Sequence, residues 1–113
     1  TPRTLFPYTT LFRSIQITEP AEKDLYEIGA YISKELLEPE TSQKVVLKIA
    51  KEIITLEDMP LRNALVFDDR LAYKRIRKFL VDSYIVFYII TEQSNTVTII
   101  RILYNKRDWL KLL

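Results

Sequence analysis

The spacing of polar and apolar residues changes along this chain, and each change marks an element. Ile15-Gln16-Ile17-Thr18 alternates apolar and polar, the period of a half-buried strand. Ala21, Leu25, Ile28, Ile32 and Leu36 then recur at three- and four-residue spacing, which predicts an amphipathic helix over residues 19–37. Thr18 is suited to cap it, Pro20 stands in the first turn, and Glu22 and Asp24 favour the positive end of the helix dipole. Pro39 predicts the stop, because the residue before a proline is pushed out of the α region. Thr41 or Ser42 can cap a second helix with the stripe Val46, Ile49, Ile53 and Leu56, widened by Val45, Ala50 and Ile54. The short link between two such helices predicts an antiparallel hairpin. Gly29, the single glycine, costs about 1 kcal/mol relative to Ala in mid-helix; close approach of a neighbouring helix is the expected reason.

Residues 57–72 break every period, and Pro60, Asn63 and Asp68-Asp69 are turn formers. This stretch reads as a loop, with room for a short strand at Leu65–Phe67. A three-stranded meander follows. Tyr73, Arg75, Arg77 and Phe79 are expected on one face of its first strand, and Lys74, Ile76, Lys78 and Leu80 on the other. Asp82-Ser83 is a tight turn. Tyr84–Thr91 is almost wholly apolar, as a central strand covered on both faces should be. After a turn at Glu92–Asn95, Thr96–Tyr104 closes the meander, with Val97, Ile99, Arg101 and Leu103 expected on one face. Trp109, Leu112 and Leu113 are expected to pack a last helical turn on the sheet edge, with Trp109 as a packing anchor. The order β-α-α-β-β-β predicts an α+β fold, a helical hairpin packed on a mostly antiparallel sheet.

Residues 1–14 fit none of these periods. Thr4–Ser14, TLFPYTTLFRS, resembles the in-frame translation of a common sequencing adaptor over all its length. The segment is therefore expected to be a non-native leader, leaving residues 15–113 as the domain.

Charge is divided unevenly. Residues 15–69 hold 6 Lys and Arg against 12 Asp and Glu, whereas residues 70–113 hold 9 against 3. A basic second half is a plausible footprint for nucleic acid or an acidic partner; acidic helices offsetting a basic sheet within one fold is the plainer reading. The chain has no Cys and no His. It therefore lacks a disulfide framework, a thiolate nucleophile and the usual neutral-pH acid–base group. Any catalysis falls to Arg, Lys, Tyr, Asp or Glu. No apolar run is long enough to span a membrane, and the cysteine-free composition suits a reducing, cytoplasmic setting.

The element order, together with TEPAEKDLYEIGAYI, PLRNALVFDDRLAYKRIRKFLVDSYIVFYII and the terminal IIRILYNKRDWLKLL, resembles the RelE/ParE superfamily. These are toxins of bacterial type II toxin–antitoxin modules, often labelled plasmid stabilisation proteins. The resemblance covers residues 15–113. It implies a growth-inhibiting toxin that binds a cognate antitoxin. RelE-like members are metal-independent endoribonucleases, or mRNA interferases, which cut messenger RNA on the ribosome and need no cofactor. ParE-like members share the fold but poison DNA gyrase. A non-toxic relative that only binds its antitoxin is the remaining alternative. Ribosome-dependent cleavage is the first expectation here.

Cleavage by a 2′-hydroxyl needs a base, a cation for the phosphorane charge and an acid for the leaving oxygen. The resemblance implies Arg77 and Arg107 as catalytic cations and Tyr104 as a base or acid. Lys74, Arg75, Lys78, Arg101 and Lys106 would bind substrate. Two positions depart from the RelE-like pattern: the end of the second helix, ITLEDMP, is acidic, and Leu113 stands where those members carry a catalytic Tyr. Each candidate also has a plain structural reading. Arg77 can pair with Asp69 or Asp82, Arg101 with a helix carboxylate, and Arg107 with Asp108. Tyr84 and Tyr88 read as sheet core.

Overall fold

The computed structural model describes residues 14–58, 65–66 and 74–113. Strand β1 (Ser14–Ile17) leads into helix α1 (Glu19–Ala30), which a π-helical turn (Tyr31–Glu35) extends. Helix α2 (Pro39–Ile54) runs back and ends in a 3-10 turn (Thr55–Glu57). Strands β2 (Arg77–Val81), β3 (Tyr84–Thr91) and β4 (Thr96–Tyr104) form the meander, and a 3-10 turn (Trp109–Leu112) follows. The sheet order is β1-β4-β3-β2, antiparallel except for the parallel β1–β4 pair. This is the α+β architecture read from the sequence. Among the described residues no helix is long and apolar enough to cross a membrane.

Thr18 caps α1 as expected: its hydroxyl accepts the Ala21 N–H at 3.3 Å. The helix does not continue regularly to residue 37. The Leu36 N–H reaches back five residues to Tyr31, and the Glu38 N–H bonds the Ile32 carbonyl at 3.1 Å, with Leu37 left-handed at φ 56°. That six-to-one bond is a Schellman-type ending with Leu where glycine is usual. Pro39 opens α2 at its first position instead of lying in the link, and Glu38 before it is non-helical. Neither Thr41 nor Ser42 is the cap. Ser42 is buried and donates its hydroxyl to the Gly29 carbonyl at 2.7 Å. A Cβ on Gly29 would stand 3.2 Å from Val46 Cγ2, so the glycine marks a close helix crossing, as its position suggested.

Two apolar clusters sandwich the sheet. The larger joins Ala21, Ile49, Ile53 and Leu56 of the helical layer to Val81, Val86, Tyr88, Val97, Ile99 and Ile102. The smaller lies on the opposite face, where Val66, Ile76, Ile85, Phe87 and Leu103 receive Trp109, Leu110, Leu112 and Leu113. The last turn thus covers the second face of the sheet, not its edge, and the Trp109 ring packs 5.1 Å from Phe87. The reason is β3: it is apolar on both sides, and the two helices can cover only one.

Three further expectations shift. The regular part of β2 starts at Arg77; Arg75 sits in a left-handed turn at φ 52°, and Tyr73 lies outside the described residues. In β4 the alternation slips, because a register shift sets Tyr88 opposite Ile99 and Phe87 opposite Arg101. Past this bulge Ile102 joins the helix-side cluster and Leu103 the other, reversing the expected faces. Ser14 belongs to β1, opposite Thr96, one residue before the expected start of the domain; residues 1–13 lie outside the described residues. Of the loop, Leu65 makes a single bridge to Arg77 and the Val66 N–H donates to the Ile76 carbonyl at 2.7 Å; Phe67 lies outside the described residues.

Candidate functional site

β1 ends opposite Ile99, so β4 beyond that point offers an open edge to α1. Thr18 covers the first of it, donating its N–H to the Ile99 carbonyl (3.0 Å) and its hydroxyl to the Ile100 carbonyl (3.1 Å). Asp24, one turn further along α1, covers the rest: its Oδ2 accepts the Ile102 N–H at 3.0 Å. Arg101, turned toward this edge at the bulge, grips the same carboxylate through Nε (2.7 Å) and Nη2 (2.8 Å). The Asp24 carboxylate is the main reason the Arg101 guanidinium is held more firmly protonated than usual.

Tyr104 and Arg107 come together at the end of β4. The Arg107 N–H donates to the Tyr104 carbonyl at 3.1 Å. Tyr104 faces Tyr84 across the strands, edge to face at 6.0 Å between rings. With Tyr31, Leu36, Ile28, Asp24 and Glu27 they line a cavity of about 500 Å3 between α1, the π turn and the strand ends. Burial, reinforced by Tyr104 and Tyr31, pushes the Tyr84 hydroxyl above its ordinary range, so it stays a proton donor at neutral pH. A second, polar groove of about 470 Å3 adjoins through Asp24, Glu27 and Arg107, and adds Glu19, Lys23 and Arg101. Lys106 is exposed in the turn before Arg107.

The other candidates lie elsewhere. Arg77 pairs with Tyr88 and shares the helix-side face with Phe79 and Val81. Tyr88 is four residues up β3 from Tyr84, about 13 Å of strand, with the packed side chains of Phe79 and Val86 between. Asp82, one expected partner of Arg77, bonds Lys48 at 2.7 Å, and Asp69 lies outside the described residues. Asp108 pairs with Lys111 at 3.4 Å, not with Arg107. Lys74, Lys78 and Arg101 all hold the last turn: Lys74 Nζ donates to the Leu113 carbonyl (3.0 Å), Lys78 Nζ sits 4.9 Å from the Trp109 ring centre, and Arg101 Nη1 donates to the Leu112 carbonyl (3.3 Å). Arg75 is exposed on its turn. Tyr88 is wholly buried, as its reading as core required.

Sequence reasoning missed Tyr31, Leu36 and Glu27 as members of a site and read Tyr84 as core alone. One signal was available: Asp24, Glu27, Ile28 and Tyr31 repeat at three- and four-residue spacing, a second face of the first helix beside its core stripe. Among the described residues no three His, Cys, Asp or Glu side chains gather as a metal-binding group.

The family described as "ParE toxin of type II toxin-antitoxin system, parDE" matches residues 15–109. Among solved structures, the chromosomal ParDE toxin–antitoxin system from P. aeruginosa superposes with a TM-score of 0.68 at 17% identity, over 85% of this chain and 98% of that one. The RelBE2 toxin–antitoxin complex from Mycobacterium tuberculosis superposes at 0.64 with 18% identity, over 85% and 94%. No curated protein matches in sequence. These likenesses share the two helices packed on a mixed four-stranded sheet found here, and the family match spans the domain from the first strand to the final turn. The chain belongs to the ParE toxin family of the RelE/ParE superfamily, the toxins of type II toxin–antitoxin systems.

Proposed function

We propose that this toxin arrests growth by binding its target, in the manner the ParE resemblance implies for DNA gyrase, and not by cutting messenger RNA. The observation that supports this reading is the separation of Arg77 from Tyr104 and Arg107. Phosphodiester cleavage needs base, acid and cation around one phosphate. Here Arg77 stands beyond a packed core from the other two, and Arg101 is engaged with Asp24. What remains at the Tyr104 end is one cation beside tyrosines, one of them held protonated, which suits binding better than proton removal. The cognate partner in this reading is an antitoxin that masks the surface until it is degraded, and both proteins work in the cytoplasm.

Two assays on the purified chain test it. In a reconstituted translation reaction, message 5′ ends mapped by primer extension are expected to stay unchanged. In a gyrase supercoiling reaction, activity is expected to fall as the chain is added. Arg77→Ala is expected to remain toxic on expression. Cuts that appear only with ribosomes and vanish in Arg107→Ala would overturn the proposal in favour of the nuclease reading.

A further inference from the structure

The cavity beside Tyr104 has the build of a peptide anchor site. Its walls are apolar: Ile28, Leu36 and the rings of Tyr31, Tyr84 and Tyr104. Tyr31, Leu36 and Tyr104 are 55%, 50% and 42% exposed, so the apolar surface is open to a partner. Its volume of about 500 Å3 lies in the range of preformed ligand pockets.

The charges at its mouth are distributed unequally. Asp24 is taken by Arg101, and Glu27 stands 4.0 Å from Lys23 on the same helix. Glu19 lies away at the first turn of α1, where the helix dipole favours it. Arg107 lines both the cavity and the adjoining groove, and no carboxylate among the described residues pairs with it. An occupant that fills the cavity therefore gains most by setting a carboxylate beside Arg107.

A strand of RNA fits less well. Tyr84 and Tyr104 meet edge to face, at 63°, and so wall the cavity without presenting parallel platforms for a base. A nucleic-acid track also needs successive cations, and Arg107 shares its surroundings with Glu19, Asp24 and Glu27.

We infer that this cavity and its groove are the docking site for an acidic amphipathic peptide segment, which inserts an aliphatic or aromatic side chain among Tyr31, Leu36 and Tyr104 and pairs a neighbouring Asp or Glu with Arg107. The inference rests on the toxin reading for its partner: the segment belongs to the antitoxin.

A random-peptide display library panned against the full chain tests it. Enriched sequences are expected to place Leu, Ile, Phe or Tyr beside Asp or Glu. A synthetic peptide of the enriched sequence, followed by fluorescence anisotropy, is expected to bind Leu36→Asp and Arg107→Glu each about tenfold more weakly. Leu36 is half exposed, so its variant should fold, which circular dichroism verifies. Replacing the peptide's acid with Lys is expected to restore binding to Arg107→Glu. Absence of enrichment, enriched peptides without an acid, equal binding to both variants, or displacement of the peptide by a mixed-sequence RNA oligonucleotide that binds more tightly overturns the inference. A growth assay separates the two readings. If the chain arrests growth and its antitoxin relieves Leu36→Asp as fully as the unmodified chain, the groove is wrong and the toxin reading stands. A chain that leaves growth unaffected without any antitoxin overturns the toxin reading itself.

Discussion

Arg101 and Asp24, 77 positions apart in sequence, form a two-pronged ion pair at 2.7 and 2.8 Å that ties the first helix to the bulge of β4. The same carboxylate caps the Ile102 N–H, and the same guanidinium reaches the Leu112 carbonyl. One pair thus links helix, sheet and final turn. Both side chains are largely withdrawn from water, 22% and 7% exposed. Removing the carboxylate strands a cation and a backbone donor together. Asp24→Ala is expected to lower stability by about 2–3 kcal/mol, read as a shift in the urea midpoint. Asp24→Ala with Arg101→Ala should cost less than the two single changes summed, because each loses the same interaction.

The helix ending offers a gain. Leu37 is left-handed at φ 56° and 80% exposed, so its side chain contributes little packing in return for the strain. An L residue pays about 1–2 kcal/mol there, while glycine adopts the conformation freely at some cost in unfolded-chain entropy. Leu37→Gly is expected to raise stability by about 0.5–1 kcal/mol in thermal unfolding.

The helix crossing should be sensitive to size and to one hydroxyl. Ser42→Ala removes the 2.7 Å bond to the Gly29 carbonyl and is expected to cost about 1 kcal/mol. Gly29→Leu drives a side chain against Val46 and Ser42 and is expected to cost about 2–3 kcal/mol. Gly29→Ala should be close to neutral, since better helix propensity offsets the crowding. Urea denaturation of the three variants checks the order.

Tyr84 should leave a mark on the pH dependence of folding. Its hydroxyl titrates above the ordinary range in the folded chain, first because of burial. The folded state therefore holds this proton more firmly than the unfolded state. The resulting stability is present below about pH 10, the unfolded value, and is lost as pH rises through the folded value. Denaturation midpoints are expected to fall more steeply above about pH 10 in the native sequence than in Tyr84→Phe. Tyrosinate absorbance of the folded chain should show one late-titrating ring that the same substitution removes.

The elements of this chain were legible because each rests on local physics. Thr18 caps because its side chain reaches a free N–H three residues on, and β3 is central because Tyr84–Thr91 is apolar on both faces. Gly29 announced a close crossing for the same reason: a Cβ has nowhere to go. The site was less legible. Arg77, Tyr104 and Arg107 lie in the two basic stretches, but proximity in function was assumed from the resemblance, and strand register placed Arg77 opposite Tyr88 and Tyr104 opposite Tyr84.

What the sequence determined by itself is the order of strands and helices, the split of charge between the halves and the family. Those depend on periodicity, caps and turn residues that act within a few positions. What only the tertiary structure decided is which charges are spent and which remain. The β4 bulge moves Arg101 to the edge where Asp24 waits, and the last turn draws Lys74 and Lys78 onto the second sheet face. Arg107 stays at the mouth of a tyrosine-walled cavity because β1 stops at Ile17 and the final strand runs on past it. A guanidinium's role depends on the carboxylate it meets, and that meeting is made by register and packing across the whole chain.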